Sequence, residues 1–169
     1  MLFYWELTLA CGLACRHCRA TAMSAGAPGE LTTAESFQPL DDITGFGNPM
    51  PHVVFTGGDP LRRNDLEALV RGATERGIGS SLAPAVTEDF TPERLAGLRD
   101  AGIQTISLSL DGSTASLHDG LRGVSGTFEM TMDAFEIAAD PRHGSRPCRS
   151  RSRRVGTRWC RRTPPCTGR

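Results

Sequence analysis

Hydrophobic and polar positions change period several times along the first 139 residues, which separates short strand-like segments from longer helix-like ones. The strand-like segments are apolar or rich in β-branched residues, and they are predicted at residues 3–9, 52–56, 78–83 and 103–110. The last of them is the clearest, because apolar and polar side chains alternate through "IQTISLSL". We therefore predict four strands.

A helix-like segment follows each predicted strand. The helices are predicted at about 32–46, 64–77, 91–102 and 128–139. Residues 32–35 resemble a capping box, Asn64 can cap the second helix, and "TPE" at 91–93 gives a cap followed by proline at the first helical position. Pro39 should kink the first helix or shift its start. Four strands that alternate with four helices are typical of parallel α/β architecture.

The segments that follow the four strands carry the residues that could bind a ligand or take part in a reaction. They are the cysteine cluster at 11–18, "TGGDP" at 56–60, "APAVTED" at 83–89 and "LDGS" at 110–113. The carboxyl ends of parallel strands meet at one rim of a sheet or barrel, so we expect these four loops to lie together there.

The cysteine cluster lies in "LACGLACRHCR", residues 9–19, and its spacing is C-x3-C-x2-C. A loop of this kind can surround one compact inorganic centre with the thiols of Cys11, Cys15 and Cys18. Cysteine thiolates hold [4Fe–4S] clusters, normally four per cluster. Three ligands would leave one iron with an open coordination position, where something else can bind.

C-x3-C-x2-C after a first strand, with a Gly-Gly-acid-Pro turn after the second, resembles the radical S-adenosylmethionine enzyme superfamily. By this resemblance Cys11, Cys15 and Cys18 ligate a [4Fe–4S] cluster, and His17 occupies a position packed near the cluster and the adenine. The resemblance also places the cofactor's methionine amino group against three residues, Gly57, Gly58 and Asp59. The family more often has Glu where this chain has Asp59. Glycines allow a close backbone approach, and a carboxylate complements an ammonium group.

Residues 107–112 and 117–128 further resemble the branch of this superfamily that includes peptide maturases and heme-pathway enzymes. This resemblance implies that Ser109 approaches the ribose of the cofactor and that Arg122 pairs with its carboxylate as a charged fork. It also implies an incomplete (β/α) partial barrel, since the family fold has about six β/α units and this chain offers four.

The activity implied by the resemblance is a radical reaction. The open iron chelates S-adenosylmethionine, one electron cleaves its sulfur–carbon bond, and the 5′-deoxyadenosyl radical abstracts hydrogen from a peptide or tetrapyrrole-type substrate. A low-potential electron donor of the ferredoxin or flavodoxin type is the implied partner. The alternative is a catalytically incompetent truncated remnant that binds only a cluster or zinc.

Other interpretations of the same residues stay open. The three cysteines with His17 could bind zinc, although His17 adjoins Cys18 and both would have difficulty facing one ion. The cysteines could also be inert and structural. The remaining histidines show no ligand-like spacing and are interpreted as surface or turn residues: His52, His118 and His143.

Composition divides the chain at about residue 140. All 19 acidic residues lie at or before Asp140, while 10 of the 19 basic residues, every one of them Arg, lie in 142–169. The first 141 residues carry nine arginines against 19 acids, a formal charge of −10, and the remainder carries +10. We assign 1–140 to the N-terminal part of a radical S-adenosylmethionine core domain and 141–169 to an Arg-rich tail.

The composition of the tail predicts disorder and no fifth strand. We interpret it as translated from a shifted, GC-rich reading frame or as the product of truncation. A nucleic-acid-binding arm and an auxiliary-cluster region using Cys148, Cys160 and Cys166 are the alternatives, and nucleic acid is not the expected partner. No basic n-region precedes the first cysteine and no apolar run is long enough to span a bilayer, so we expect a cytoplasmic protein without a membrane partner.

Overall fold

The fold is described from a computed structural model, which describes residues 1–140 and the backbone of a short strand at 156–158. The strands are β1 (Leu2–Glu6), β2 (His52–Thr56), β3 (Gly79–Leu82), β4 (Thr105–Ser107) and β5 (Gly156–Arg158). The helices are α1 (Phe37–Thr44), α2 (Leu66–Glu75), α3 (Pro92–Ala101), α4 (Ala115–Arg122) and α5 (Thr127–Ala139), with a 3₁₀ turn at Pro60–Arg62.

The five strands form one sheet in the order β1-β2-β3-β4-β5. The first four are parallel, with Trp5 opposite Phe55 and Phe55 opposite Leu82, so their carboxyl ends lie at the same edge. This arrangement confirms the predicted α/β class with four parallel β/α units. No helix among the described residues is long and apolar enough to cross a membrane.

β5 corrects one prediction, because no strand was expected in the tail. Gly156–Arg158 pairs antiparallel with β4, with Ile106 opposite Thr157. The unpaired N–H and C=O groups along an edge strand can form hydrogen bonds with the backbone of another extended segment. The rest of 141–169, including the predicted disorder and the three tail cysteines, lies outside the described residues.

The core lies between the sheet and the helices that follow its strands. β2 contributes Val53 and Phe55, and both are fully buried. The periodic positions of α2 and α3 are buried against them, as the apolar spacing predicts: Leu66, Leu69, Val70, Ala73, Leu95 and Leu98. Burying a large apolar side chain contributes about 1.5–3 kcal/mol. The buried residues of the first four β/α units form one continuous core.

The helix ends follow local signals except at the starts of α1 and α2. Asn64 was predicted to cap α2, but Asp65 holds the N-cap position and makes no side-chain capping hydrogen bond. The Thr91 hydroxyl accepts from the Arg94 amide at 3.3 Å and begins α3 as predicted. The predicted capping box at residues 32–35 closes only a turn, and α1 begins later, at Phe37, so that Pro39 falls in the first turn where a missing N–H costs little. α4 was not predicted at all.

Candidate cofactor site

The loops that follow β1 and β2 are joined directly through their backbones. The Gly58 amide donates to the Thr8 carbonyl and the Asp59 amide donates to the Ala10 carbonyl, both at 2.7 Å. The Gly-Gly-Asp segment therefore continues the pairing of the two strands up to the residue before Cys11. The two loops therefore meet at one rim of the sheet, as predicted.

Glycine is required in this segment because the two loops lie so close together. A Cβ atom at Gly58 would lie 2.4 Å from the Ala10 carbonyl oxygen and 2.7 Å from that of Leu9. Gly57 has φ +138°, and a Cβ there would lie 2.5 Å from the Thr8 oxygen. The loops after β2, β3 and β4 are called the β2 loop (57–60), the β3 loop (83–89) and the β4 loop (108–113), and residues 10–23 are called the cysteine loop. The first use of both glycines is thus to bring the β2 loop against the cysteine loop.

The cysteine loop is closed at its base. The Met23 amide donates to the Leu9 carbonyl at 2.9 Å, and the Cys11 amide donates to the Met23 carbonyl at 2.8 Å. Between these closing bonds the Cys18 amide donates to the Cys15 carbonyl at 3.1 Å, which makes a turn that carries the second and third cysteines.

All three thiols of the motif are free, with Cys11 and Cys15 half-buried and Cys18 exposed. Burial raises the pKa of Cys11, partly offset by the Leu13 amide donating to its sulfur at 3.4 Å. Over residues 1–140 and 156–158, no three Cys, His, Asp or Glu side chains are gathered as one metal ion would require. A [4Fe–4S] cube makes a different demand, because each thiolate binds a different iron. Three free thiols on one closed loop fit that demand.

Asp59 is wholly buried, which its predicted contact with a cofactor does not require. One oxygen accepts from the Thr87 hydroxyl at 2.9 Å and the other from the Leu61 amide at 3.1 Å. The carboxylate therefore ties the β2 loop to the β3 loop. Burial raises the pKa of Asp59 to about 6, against its ordinary value of 3.8, although hydrogen bonds from Thr87, Leu61 and Ala85 oppose the rise.

Arg122 lies over the second cysteine. Its guanidinium lies 3.9 Å from Cys15 Sγ through one terminal nitrogen and 3.2 Å from the Ser109 carbonyl oxygen through the other. Its Nε lies 2.6 Å from Oδ2 of Asp111, which is close enough for an ion pair. Neither of these two buried atoms makes a hydrogen bond of suitable geometry. The free fork expected for a cofactor carboxylate is thus already engaged.

The remaining predicted residues lie around this ion pair. His17 is exposed, and its Nε2 lies 3.9 Å from Asp111. Ser109 is also exposed, and its carbonyl accepts from Arg122. The structure thus brings His17, Ser109 and Arg122 to the cysteine loop, while their contacts with a cofactor stay predictions.

α4, which sequence reasoning missed, holds two of the loops together. The Arg16 amide donates to the Leu121 carbonyl at 2.8 Å, and Gly123, with φ +74°, lies so close to Ala14 that a Cβ would be 2.3 Å from its carbonyl oxygen. At the other loop, the Asp111 amide donates to Nδ1 of His118 at 3.1 Å.

His118 corrects a second interpretation, because it is fully buried rather than a surface or turn residue. Its ring packs edge-on against Phe128, and its Nε2 lies 3.4 Å from the Thr131 hydroxyl. Burial and the nearby Arg122 charge lower the pKa of His118, which favours the neutral ring, and its Nδ1 accepts from the Asp111 amide. The only sequence signal was its position one turn into an amphipathic segment. His52 is half-buried on β2, and His143 lies outside the described residues.

Glu30 is a further residue that the sequence did not single out. One carboxylate oxygen accepts from the Thr8 hydroxyl at 3.0 Å and from the Leu9 and Ala27 amides, both at 2.8 Å. Partial burial opposes the shift, but those three hydrogen bonds and the nearby Arg63 charge lower the pKa of Glu30. Glu30 thereby provides an acceptor for the Leu9 amide, just before Cys11, on the side of the described sheet where β1 is the edge strand. An adjoining cavity of about 260 Å³ is lined by residues 5–9 and 29–31 with Ser36 and Arg63, and it contains no cysteine.

Comparison with known proteins gives a match to the Radical SAM superfamily over residues 5–142. An AdoMet-dependent heme synthase from Oleidesulfovibrio alaskensis is 45% identical over 136 residues, which is 80% of this chain and 34% of that protein. A mycofactocin maturase from Mycobacterium tuberculosis is 34% identical over 135 residues, 80% of this chain and 33% of that protein. The chain thus spans about a third of the length of these curated relatives.

Solved structures show the same fold. Methylornithine synthase (PylB) matches with TM-score 0.64 at 20% identity over 81% of this chain and 40% of the other. anSMEcpe, crystallised with bound AdoMet, matches with TM-score 0.63 at 20% identity over 80% of this chain and 39% of the other. The predicted family is therefore confirmed: the chain belongs to the Radical SAM superfamily, whose membership implies a [4Fe–4S] cluster and S-adenosylmethionine as cofactors.

Proposed function

We propose that this chain binds a [4Fe–4S] cluster and S-adenosylmethionine and takes part in hydrogen abstraction from a substrate. The observation that carries the proposal is the direct backbone pairing of the Gly-Gly-Asp loop with the residues that precede Cys11. When bound and reduced, these cofactors supply a 5′-deoxyadenosyl radical. The chain's own residues hold the cofactors, position them and keep water out.

Each candidate residue then has a stated task. Cys11, Cys15 and Cys18 hold three irons, and His17 packs beside the cofactor. The closed base of the cysteine loop reduces the conformational freedom that cluster binding would otherwise remove.

On the facing β2 loop, Gly57 and Gly58 present backbone groups to the methionine end of the cofactor. The buried charge of Asp59 complements its ammonium from behind this backbone. Ser109 lies at the ribose side of the same rim.

The proposed substrate is a tetrapyrrole, with a peptide as the second candidate. The AdoMet-dependent heme synthases are 40–45% identical to this chain, and the mycofactocin maturases are 34–35% identical. A pre-heme d1 synthase and an Fe-coproporphyrin III synthase, at 32% and 30%, add two further tetrapyrrole-type relatives. We also propose a ferredoxin- or flavodoxin-type electron donor and a cytoplasmic location. Because the chain spans about a third of its relatives, a form that binds a cluster without turnover is the competing proposal.

Reductive cleavage of S-adenosylmethionine tests the proposal. The chain is reconstituted with iron and sulfide under anaerobic conditions, reduced with dithionite, and assayed for 5′-deoxyadenosine by chromatography. We expect product from the unaltered chain and from Cys148→Ala, a matched control for the loss of a thiol outside the motif, and none from Cys15→Ala. Cluster formation without product would favour the non-catalytic alternative, and zinc bound instead of iron would refute the cluster assignment.

A further inference from the structure

Arg122 connects the cysteine loop with the β4 loop. Three groups surround its guanidinium: Cys15 Sγ at 3.9 Å, the Ser109 carbonyl at 3.2 Å and Asp111 Oδ2 at 2.6 Å. Only one of the three belongs to the cysteine loop, and it is the sulfur of a proposed cluster ligand.

The backbone segments that carry Arg122 and Asp111 are both held in place. Arg122 is the last residue of α4, whose end is held to the cysteine loop by the Arg16–Leu121 hydrogen bond and by the close approach of Gly123 to Ala14. Asp111 is held by the hydrogen bond from its amide to His118. The end of α4 is therefore held within reach of Cys15.

The pair is sheltered from water. The side chains of Arg122 and Asp111 are 13% and 22% exposed, so their charges act at short range in a medium that screens weakly. Reduction of a cluster adds one negative charge at the thiolates and irons. A cation beside one thiolate stabilises that added charge, and an anion behind the cation reduces the effect.

We propose that Arg122 and Asp111 set the reduction potential of the cluster through Cys15. Arg122 raises the potential by donating to the Cys15 sulfur, and Asp111 lowers it by partly neutralising Arg122. The inference rests on the proposed function, since it requires the cluster. The step is the uptake of one electron by the oxidised cluster from a low-potential donor, with no proton or bond exchanged. It differs from a carboxylate fork for the cofactor, because the three groups around Arg122 all belong to the protein and one of them is the Cys15 sulfur.

Two substitutions should shift the potential in opposite directions. Midpoint potentials are measured by anaerobic potentiometry, with electron paramagnetic resonance of samples frozen along the titration and without S-adenosylmethionine. Arg122→Gln should shift the midpoint to more negative values. Asp111→Asn should shift it to more positive values, because Asn keeps an oxygen near Nε but removes the charge. Arg122→Lys should lie between the unaltered chain and Arg122→Gln. Arg71→Gln, at an exposed position of α2, controls for net charge.

The outcomes separate this inference from the proposed function. Equal midpoints in all variants that bind a cluster, or shifts of the same sign for Arg122→Gln and Asp111→Asn, would overturn the inference. Loss of affinity for S-adenosylmethionine in Arg122→Gln with an unchanged midpoint would also overturn it and would return Arg122 to the role of a cofactor ligand. Failure of the unaltered chain to bind any cluster would overturn both proposals. Iron and sulfide content and circular dichroism establish that each variant is folded and loaded.

Discussion

Asp59→Asn should make the cluster-free chain more stable at neutral pH. Asp59 is fully buried, and burial raises its pKa to about 6 from an ordinary 3.8. The folded chain therefore holds a proton on Asp59 at pH values where the unfolded chain has released it. Asn keeps an oxygen for the Leu61 amide and an NH₂ group that can donate to Thr87, whose hydroxyl can turn to accept.

The sign follows from proton linkage. Between about pH 4 and pH 6 the folded state binds more protons than the unfolded state, so the contribution of Asp59 to stability falls as pH rises and is constant above that range. A difference of about two pH units between the two pKa values corresponds to about 3 kcal/mol, at about 1.4 kcal/mol per unit. The variant should match the unaltered chain near pH 4 and exceed it by up to about 3 kcal/mol at pH 7.5.

Urea unfolding followed by circular dichroism, at intervals from pH 4 to pH 8, measures this difference. Other carboxylates titrate over the same range, so the informative quantity is the free energy of unfolding of Asp59→Asn minus that of the unaltered chain. Asp133→Asn, at an exposed position of α5, controls for the change in net charge. A constant difference across the whole range, or one that favours the unaltered chain more strongly as pH rises, would refute a buried carboxylate with a raised pKa.

Three further substitutions test the supports of the site by urea unfolding. Gly58→Ala should destabilise the chain by at least about 2 kcal/mol, because its Cβ would lie 2.4 Å from the Ala10 carbonyl, and an unchanged midpoint would contradict that contact. Glu30→Ala should destabilise the chain by about 1–2 kcal/mol, because the Leu9 and Ala27 amides lose their acceptor. Glu30→Gln retains an acceptor oxygen and should lose less stability. Equal losses in the two variants would contradict the hydrogen-bond account. His118→Ala should destabilise the chain by about 3 kcal/mol, because it leaves a cavity and an unpaired Asp111 amide. Hydrogen exchange of the Asp111 amide should be faster in this variant, and an unchanged exchange rate would contradict its hydrogen bond to His118.

The order of elements was predictable because each β/α unit carries its own signal. The apolar period of α2 and the Thr91-Pro92 start of α3 depend on neighbours within one turn of helix, and both are confirmed. β4 is shorter than "IQTISLSL" suggests, ending at Ser107, since strand length depends on the partner strand and not only on alternation. β5 shows the opposite case, since its backbone pairs with β4 although the composition of the tail predicted no strand there.

The site was predictable only as far as its motifs go. The spacing of the cysteines and the Gly-Gly-Asp turn identify the two loops, and parallel strands bring them together. The burial of Asp59 was not predictable, because it depends on Thr87, 28 residues later in the chain. Long-range partners of this kind leave no periodic trace in the sequence.

α4 was missed for a related reason. Its large apolar residues, Leu117 and Leu121, are both exposed, and its one buried side chain is the polar His118. Two leucines at i and i+4 within a helix of eight residues are too short an apolar pattern to distinguish a helix from a loop. Its caps were the available signal, since the Thr114 hydroxyl accepts from the Leu117 amide at 3.4 Å and Gly123 ends it.

Electron paramagnetic resonance of the reduced, reconstituted chain tests the central claim most directly. The account predicts a [4Fe–4S] signal that shifts when S-adenosylmethionine is added and that is absent from Cys15→Ala. A signal that S-adenosylmethionine leaves unchanged, or one that persists in Cys15→Ala, would contradict a three-cysteine cluster whose fourth iron is open to the cofactor.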